Sequence, residues 1–187
     1  MSISAVILAG GKSSRMGRDK SLLPFGEYST MAEYQYRKLE KIFNNKVYIS
    51  TRDDKFPFMS KKLYDKYEIL SPLNGIISSF SSLKSDAILF LAVDMPFISH
   101  NSIEKLLNLY KNNPNYDCYC FKVNNRLEPT VAIYRRTILT TAKKNFNNNI
   151  HKLGQLIKMS RYLCINSVNE NEFTNLNFFE EYLSKKI

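Results

Sequence analysis

Apolar and polar positions alternate in blocks along the chain, and the blocks change period. Ile3–Leu8 is an apolar run that stops at Ala9-Gly10-Gly11, and it predicts a buried strand. Thr30–Phe43 carries apolar residues at helical spacing. Thr30 is placed to cap that helix, with Glu33 three residues on as in a capping box. Val47–Ser50 predicts a second strand and Lys62–Asp65 a third, which leaves Asp65 at its end. A loop at Ser71-Pro72-Leu73 precedes a predicted helix over Asn74–Leu83. Ala87–Val93 is apolar throughout and is followed by Asp94-Met95-Pro96, the pattern of a central strand. Ser102–Tyr110 predicts a helix. Asp117–Val123 and Thr130–Tyr134 predict two strands joined by a polar turn, Asn124–Pro129. A helix over Thr137–Asn145, an Asn-rich loop, a short helix over Lys152–Met159, a strand over Tyr162–Asn166 and a terminal helix over Phe178–Lys185 complete the pattern.

Strands alternating with helices predict an α/β fold of Rossmann-like type, a mostly parallel sheet flanked by helices. No internal repeat or convincing linker divides the chain, so residues 1–187 read as one domain. The longest apolar runs are far too short to cross a bilayer, and the start of the chain lacks the basic segment and cleavage site of a signal peptide. These features point to a cytoplasmic protein without a membrane partner. The three cysteines, Cys118, Cys120 and Cys164, have neither the number nor the spacing of a disulfide framework or a zinc site, and read as buried thiols.

The net charge of +10 changes the picture, because a basic surface suits nucleic acid, an anionic membrane or a phosphorylated small molecule. No Lys/Arg block dense enough for a nucleic-acid tail is present, and many lysines are scattered through an Asn-, Ile- and Tyr-rich chain. The concentration of charge that stands out is local. Lys12, Arg15, Arg18 and Lys20 follow the glycine pair that ends the first strand. Glycines let a backbone approach a ligand closely, successive N–H groups can cradle an anion, and the cations can meet phosphate oxygens. The spacing fits neither a Walker A loop, since Val6 occupies the required glycine position, nor G-x-G-x-x-G.

In open α/β sheets ligands bind outside the carboxyl ends of the strands. The glycine loop, Asp65 and Asp94 all fall at such ends, and their convergence is the main functional signal in the residues themselves. Asp94 suits a Mg²⁺ ligand, since that cation uses one or two carboxylates plus substrate phosphates; a turn or cap residue suits the same position. Asp65 suits a ribose hydroxyl, a base, a metal or a plain surface turn. Asn175 and Asn177 alternate in FTNLNFFEEY and so share one side of an extended segment. They suit a polar ligand, and Asn177 equally suits a helix cap with Glu180. His100 and His151 lack partners at catalytic or metal spacing, and no G-x-S-x-G is present, so covalent catalysis is not indicated.

The segment LAGGKSSRMGRDKSLLPF resembles the signature of small nucleotidyltransferases, LAGG-x-x-x-R-M-G-x-x-K, and most closely that of the molybdenum cofactor guanylyltransferase family. LAVDMPFIS resembles that family's metal-binding aspartate segment, LYDKYEILSPLNGI its nucleotide-binding aspartate and P-L-x-G segment, LEPTVAIYRRT its H-P-T-x-A segment, and TNLNFFEEY its late N-x-N-x-x-E-E segment. The matches run in family order over nearly the whole chain. Two positions depart: Glu128 stands where members often carry His, and Ser50 where they carry a base-contacting Asn.

The resemblance implies a nucleotidyltransferase fold and transfer of GMP from GTP to molybdenum-molybdopterin, with release of pyrophosphate and with Mg²⁺ as cofactor. It implies that Leu8, Ala9, Gly10, Gly11, Lys12, Lys20, Ser50, Asp65 and Asp94 bind the nucleotide, and that Asp94 holds the metal. Pro129, Thr130, Asn175 and Asn177 lie toward the acceptor, and Arg15, Lys20 and Asp94 act in catalysis. Other cofactor-assembly proteins are the partners it implies, with no nucleic acid among them. Two rivals stay open on the sequence alone. One is the same fold using CTP or a sugar-phosphate acceptor; the other is a non-enzymatic basic module that binds RNA or an acidic protein.

Overall fold

Side chains of the first strand divide by parity, as a strand buried on both faces requires. Ala5 and Ile7 join one core cluster and Val6 the other. The computed structural model describes residues 2–10, 19–167, 169–176 and Tyr182 of the chain. Its elements are β1 (Ile3–Leu8), α1 (Met31–Phe43), β2 (Val47–Thr51), β3 (Lys62–Tyr64), α2 (Pro72–Ser82), β4 (Ala87–Ala92), α3 (His100–Asn112), β5 (Cys118–Val123), β6 (Arg126–Arg135), α4 (Leu139–Asn147), α5 (Leu153–Lys158) and β7 (Tyr162–Ser167). The terminal helix expected over 178–185 falls outside the described residues except for Tyr182, which is buried and donates its hydroxyl to the Pro24 carbonyl at 2.6 Å.

Among the described residues the strands form one seven-stranded sheet in the order β3-β2-β1-β4-β6-β5-β7. All neighbouring pairs are parallel except those made by β6, which runs against both β4 and β5. The chain moves outward from β1 to β3, then returns to the other side of β1 as β4. The order therefore reverses between β1 and β4, and a crevice opens there at the carboxyl ends of the strands. One face of the sheet packs Ile7, Leu89, Leu91 and Phe121 against Leu39 of α1 and Leu106 of α3. The other packs Val6, Phe90, Cys118 and Cys120 against Ile76 and Phe80 of α2, Ala142 of α4 and Leu156 of α5.

Helix starts follow the capping chemistry of the sequence. The Thr30 hydroxyl accepts the Glu33 N–H at 3.0 Å, a contact worth about 1 kcal/mol to a helix. α2 begins earlier than the sequence suggests. Pro72 sits in its first turn, where a missing N–H costs nothing, and Ser71 caps it through the Asn74 N–H.

The largest difference from expectation lies in the β5–β6 hairpin. A six-residue turn over Asn124–Pro129 is not what forms. The turn is Asn124-Asn125, both with positive φ, and β6 starts at Arg126. Two central residues with positive φ match the twist of flanking strands, and Asn tolerates that conformation well. Pro129 lies within β6 because the pairing slips there: Cys120 faces Ala132 while Phe121 faces Glu128. The residues between bulge out of the β5 ladder, so the missing N–H of Pro129 breaks no bond with that neighbour.

Candidate nucleotide site

The crevice at the strand-order reversal is a cavity of about 400 Å³. Its floor is the end of β1, Leu8, with Ala9 and Gly10 beyond it. One wall is made by Ser50 of β2, by Asp65 just after β3, and by Ser71, Pro72 and Gly75 at the start of α2. The opposite wall carries Ala92, Val93 and Asp94 from the end of β4, with Thr130 of β6 and Asn175 of the C-terminal segment. Asp19, Lys20 and Ser21, from a short 3₁₀ turn, close the near side.

The tertiary structure thus brings together Leu8, Ala9, Gly10, Lys20, Ser50, Asp65, Asp94, Thr130 and Asn175 of the residues singled out by sequence. Pro129 does not line this cavity; its carbonyl receives the Tyr134 hydroxyl at 2.7 Å. Gly11, Lys12, Arg15 and Asn177 lie outside the described residues.

Two charged side chains meet within the cavity. Lys20 Nζ lies 3.1 Å from Asp94 Oδ2, and both side chains are mostly shielded, at 15% and 23% exposure. A cation and a carboxylate delivered to one spot offer complementary handles for phosphate, the ammonium directly and the carboxylate through a divalent cation. Across the cavity, Ser50 Oγ donates to Asp65 Oδ1 at 3.0 Å. Burial raises the Asp65 carboxyl above its ordinary value, against the pull of the Ser50 bond and of Arg52. The segment after β3 that carries Asp65 is latched to α2 by the buried Asn74, whose amide donates to the carbonyls of Tyr67 at 2.7 Å and Ile69 at 3.0 Å.

The backbone comes close where side chains are missing. A Cβ on Gly10 would stand 3.0 Å from Asp65 Oδ2, and one on Gly75 would stand 2.9 Å from Leu8 and 3.0 Å from Ser50 Oγ. Both glycines therefore set how near β1, β2 and α2 approach around the cavity.

Sequence reasoning missed the network at the near side. Asp19 accepts from Ser21 through both its N–H and its hydroxyl, at 3.0 and 2.6 Å. Lys55 spans Asp19 Oδ2 at 2.5 Å and the Ala9 carbonyl at 3.4 Å. Burial pushes the Asp19 carboxyl up, but the bonds from Lys55 and Ser21 outweigh it and hold the group below its usual value. Asp19 had a local signal in its Asp-x-Ser spacing. Lys55 had none, because its partners are 36 and 46 residues away.

The chain matches the model of the MobA-like NTP transferase domain over residues 5–161. It is 34% identical to a molybdenum cofactor guanylyltransferase of Campylobacter jejuni subsp. doylei, over 96% of this chain and 93% of that protein. It is 32% identical to one of Helicobacter pylori, over 96% of this chain and 90% of that protein. Among solved structures, molybdopterin-guanine dinucleotide biosynthesis protein A from Archaeoglobus fulgidus superposes with a TM-score of 0.83 at 16% identity, covering 98% of this chain and 96% of that one. A CMP:2-keto-3-deoxy-manno-octonic acid synthetase complexed with CTP shares the fold at a TM-score of 0.75 and 16% identity, covering 99% and 96%. A crevice at the carboxyl ends of the strands, relatives of this identity along nearly the full chain and the matching domain model agree: the chain belongs to the MobA-like NTP transferase family of nucleotidyltransferases.

Proposed function

We propose that this protein transfers GMP from GTP to molybdenum-molybdopterin, giving the molybdopterin guanine dinucleotide cofactor and pyrophosphate. The observation that carries the reading at the level of chemistry is the Lys20–Asp94 pair at 3.1 Å, set at the strand-order reversal opposite Asp65. The names of the curated relatives support the choice of nucleotide and acceptor. We read residues 1–187 as one cytoplasmic domain that works beside other cofactor-assembly proteins. Among the described residues no helix is long and apolar enough to cross a membrane.

In this reading an acceptor phosphate oxygen attacks the α-phosphorus of GTP, and the bond to the bridging oxygen of pyrophosphate breaks. The nucleophile is already ionised, so no general base is required, and catalysis rests on alignment and charge. The backbone of Leu8, Ala9 and Gly10 lies under the nucleoside. Asp65, oriented by Ser50, accepts hydrogen bonds from guanine or ribose. Ser50 spends its hydroxyl on Asp65, so it acts on the nucleotide through that carboxylate. Lys20 faces the phosphates, with Gly11, Lys12 and Arg15 assigned to the triphosphate by their place in the signature. Thr130 and Asn175 stand on the acceptor side, with Pro129 and Asn177 assigned there from sequence.

The residues fit a Mg²⁺ ion of the kind that keeps waters and substrate phosphates as ligands. No three His, Cys, Asp or Glu side chains among the described residues form a closed cage; of the cavity's carboxylates, Asp19 is engaged by Lys55 and Ser21 and Asp65 by Ser50, while Asp94 stands beside Lys20. Asp94 would hold the ion, which would supply charge neutralisation on the phosphates.

Calorimetric titration with GTP, CTP, ATP and UTP, each with and without Mg²⁺, tests the reading. GTP is expected to bind most tightly. Preference for CTP would replace guanylyl by cytidylyl transfer, and binding of none would remove the enzymatic reading. The Gly10 contact gives a second test. Gly10→Ala is expected to weaken GTP binding about tenfold, near 1.4 kcal/mol, because the new methyl crowds the Asp65 carboxylate and pushes it from its place beside Ser50 by a few tenths of an ångström. The melting temperature should change little, since Asp65 can rotate away. An unchanged GTP affinity would sink the assignment of Asp65.

A further inference from the structure

We propose that Gln35 and Lys38, on the buried face of α1, are positioning residues for the Asp94 carboxylate, holding the turn that carries it from beneath. The inference rests on the reading of Asp94 as the carboxylate that meets metal and phosphate. β4 ends at Ala92, and the backbone then turns through Asp94, Met95 and Pro96 toward α3. Carbonyls in that turn have left the ladder of the sheet, yet the surrounding segment is buried, so each needs a donor.

α1 supplies the donors. Gln35 Nε2 lies 3.3 Å from the Ala92 carbonyl, 3.4 Å from that of Val93 and 3.0 Å from that of Met95, gathering groups on both sides of Asp94. One turn along the helix, Lys38 Nζ lies 3.0 Å from the carbonyls of both Pro96 and Ile98. Gln35 is fully buried and Lys38 is 8% exposed. The placement of the Gln35 amide is set by its donor end, since among the described residues its Oε1 has no hydrogen-bond partner. From the opposite side the Leu176 N–H donates to the Asp94 carbonyl at 2.9 Å. The turn is therefore fixed on both sides, with the carboxylate left to reach Lys20 in the cavity.

An amphipathic helix carries apolar residues on the face it buries. The buried positions of α1 are Met31, Ala32, Gln35, Tyr36, Lys38, Leu39 and Phe43, and Gln35 and Lys38 interrupt that face with strong donors. Their partners are 57 to 60 residues away. Packing alone would be served by a methionine at either place. What an apolar residue cannot do is bind the carbonyls that fix where Asp94 points. Groups that orient a metal ligand from behind typically change metal affinity by about 10–100-fold when removed.

The test uses the whole protein and reads binding as well as turnover. GTP affinity is measured by calorimetry without Mg²⁺ and over a Mg²⁺ series, for the parent, Gln35→Met, Lys38→Met and Asp94→Asn. For Gln35→Met the gain in GTP affinity on adding Mg²⁺ is expected to shrink about tenfold, with affinity in its absence unchanged. Lys38→Met should move the same way by less, and it carries the test alone if Gln35→Met does not fold. A drop in melting temperature with the parent's Mg²⁺ response would leave both residues merely structural and overturn the inference. If Asp94→Asn itself keeps the parent's Mg²⁺ response, it is the underlying reading of Asp94 that fails.

Discussion

Asp94→Asn is expected to lower the rate of GMP transfer at saturating GTP by on the order of 10²–10³-fold, the range seen when one well-placed charge-stabilising group is removed from a transition state. The substitution keeps the shape of the side chain and removes its charge. The backbone of residue 94 should stay where it is, because the Leu176 bond to its carbonyl and the turn bond from Met95 N–H to Ala92 carbonyl do not involve the side chain. Circular dichroism and the melting temperature should therefore stay near those of the parent, while the Mg²⁺ concentration needed for half-maximal rate rises. Lys20→Met should also cut the rate. Because Lys20 and Asp94 are in contact, the double variant should lose less than the product of the two single losses. Pyrophosphate release over a Mg²⁺ series checks this directly. An Asp94→Asn protein that turns over like the parent with the same Mg²⁺ requirement would refute the role of Asp94.

Stability should rise with pH between about 7 and 10, and Lys38→Met should flatten that rise. Burial lowers the Lys38 ammonium from its ordinary 10.5 to about 7, with the nearby Glu172 carboxylate opposing the fall. The native pKa is thus below the unfolded one. Between the two values the unfolded chain holds a proton that the native protein has released, so raising the pH favours the native state. Below pH 7 the side chain is charged in both states and the full burial cost remains. Above 10.5 it is neutral in both, and the dependence ends.

Each pH unit inside that window is worth up to 1.36 kcal/mol, so pH 7 to pH 9 should add about 2 kcal/mol from this residue. Its surroundings do not cancel the effect. The Tyr34 ring lies 5.1 Å from Nζ, and Lys41 and His100 share the same hollow and carry no negative charge. A neutral amine still has two N–H groups for the Pro96 and Ile98 carbonyls, so the turn keeps its support when the proton leaves. Lys38→Met removes both donors, a loss of about 1–3 kcal/mol for buried carbonyls left without partners. Its disadvantage against the parent should therefore be larger at pH 9 than at pH 6. Urea unfolding of both proteins at several pH values measures the difference. Parallel curves would show that Lys38 does not titrate in this window.

Clues that act over a few residues were legible in the chain itself. The apolar runs of β1 and β4 and the Thr30 cap of α1 are local patterns, and each gave its element within a residue or two. Asp94 could be placed at a strand end because an apolar run stops just before it, and Asp65 because it closes the short strand predicted over Lys62–Asp65. The family signature added the order of the site along the chain.

Only the tertiary structure decided what those residues meet. Lys20 and Asp94 are 74 residues apart and become neighbours because β4 returns beside β1. Ser50 and Asp65 pair because β2 and β3 run parallel in the register that sets Ser50 beside Leu63. The hairpin turn is shorter than the polar stretch suggests because polarity extends past Asn125, whereas the strand resumes where backbone bonds to β5 can form. Nothing in the local sequence marks Gln35 and Lys38 as more than polar positions of α1. Their burial depends on carbonyls that β4 leaves unpaired on the far side of the sequence. The sequence by itself determined the strands, the helix caps and the side chains able to carry chemistry, since those follow from local sterics and polarity. Which of them share a cavity, and which hold others in place, depended on strand order and register, which are set by burying the two faces of the sheet together.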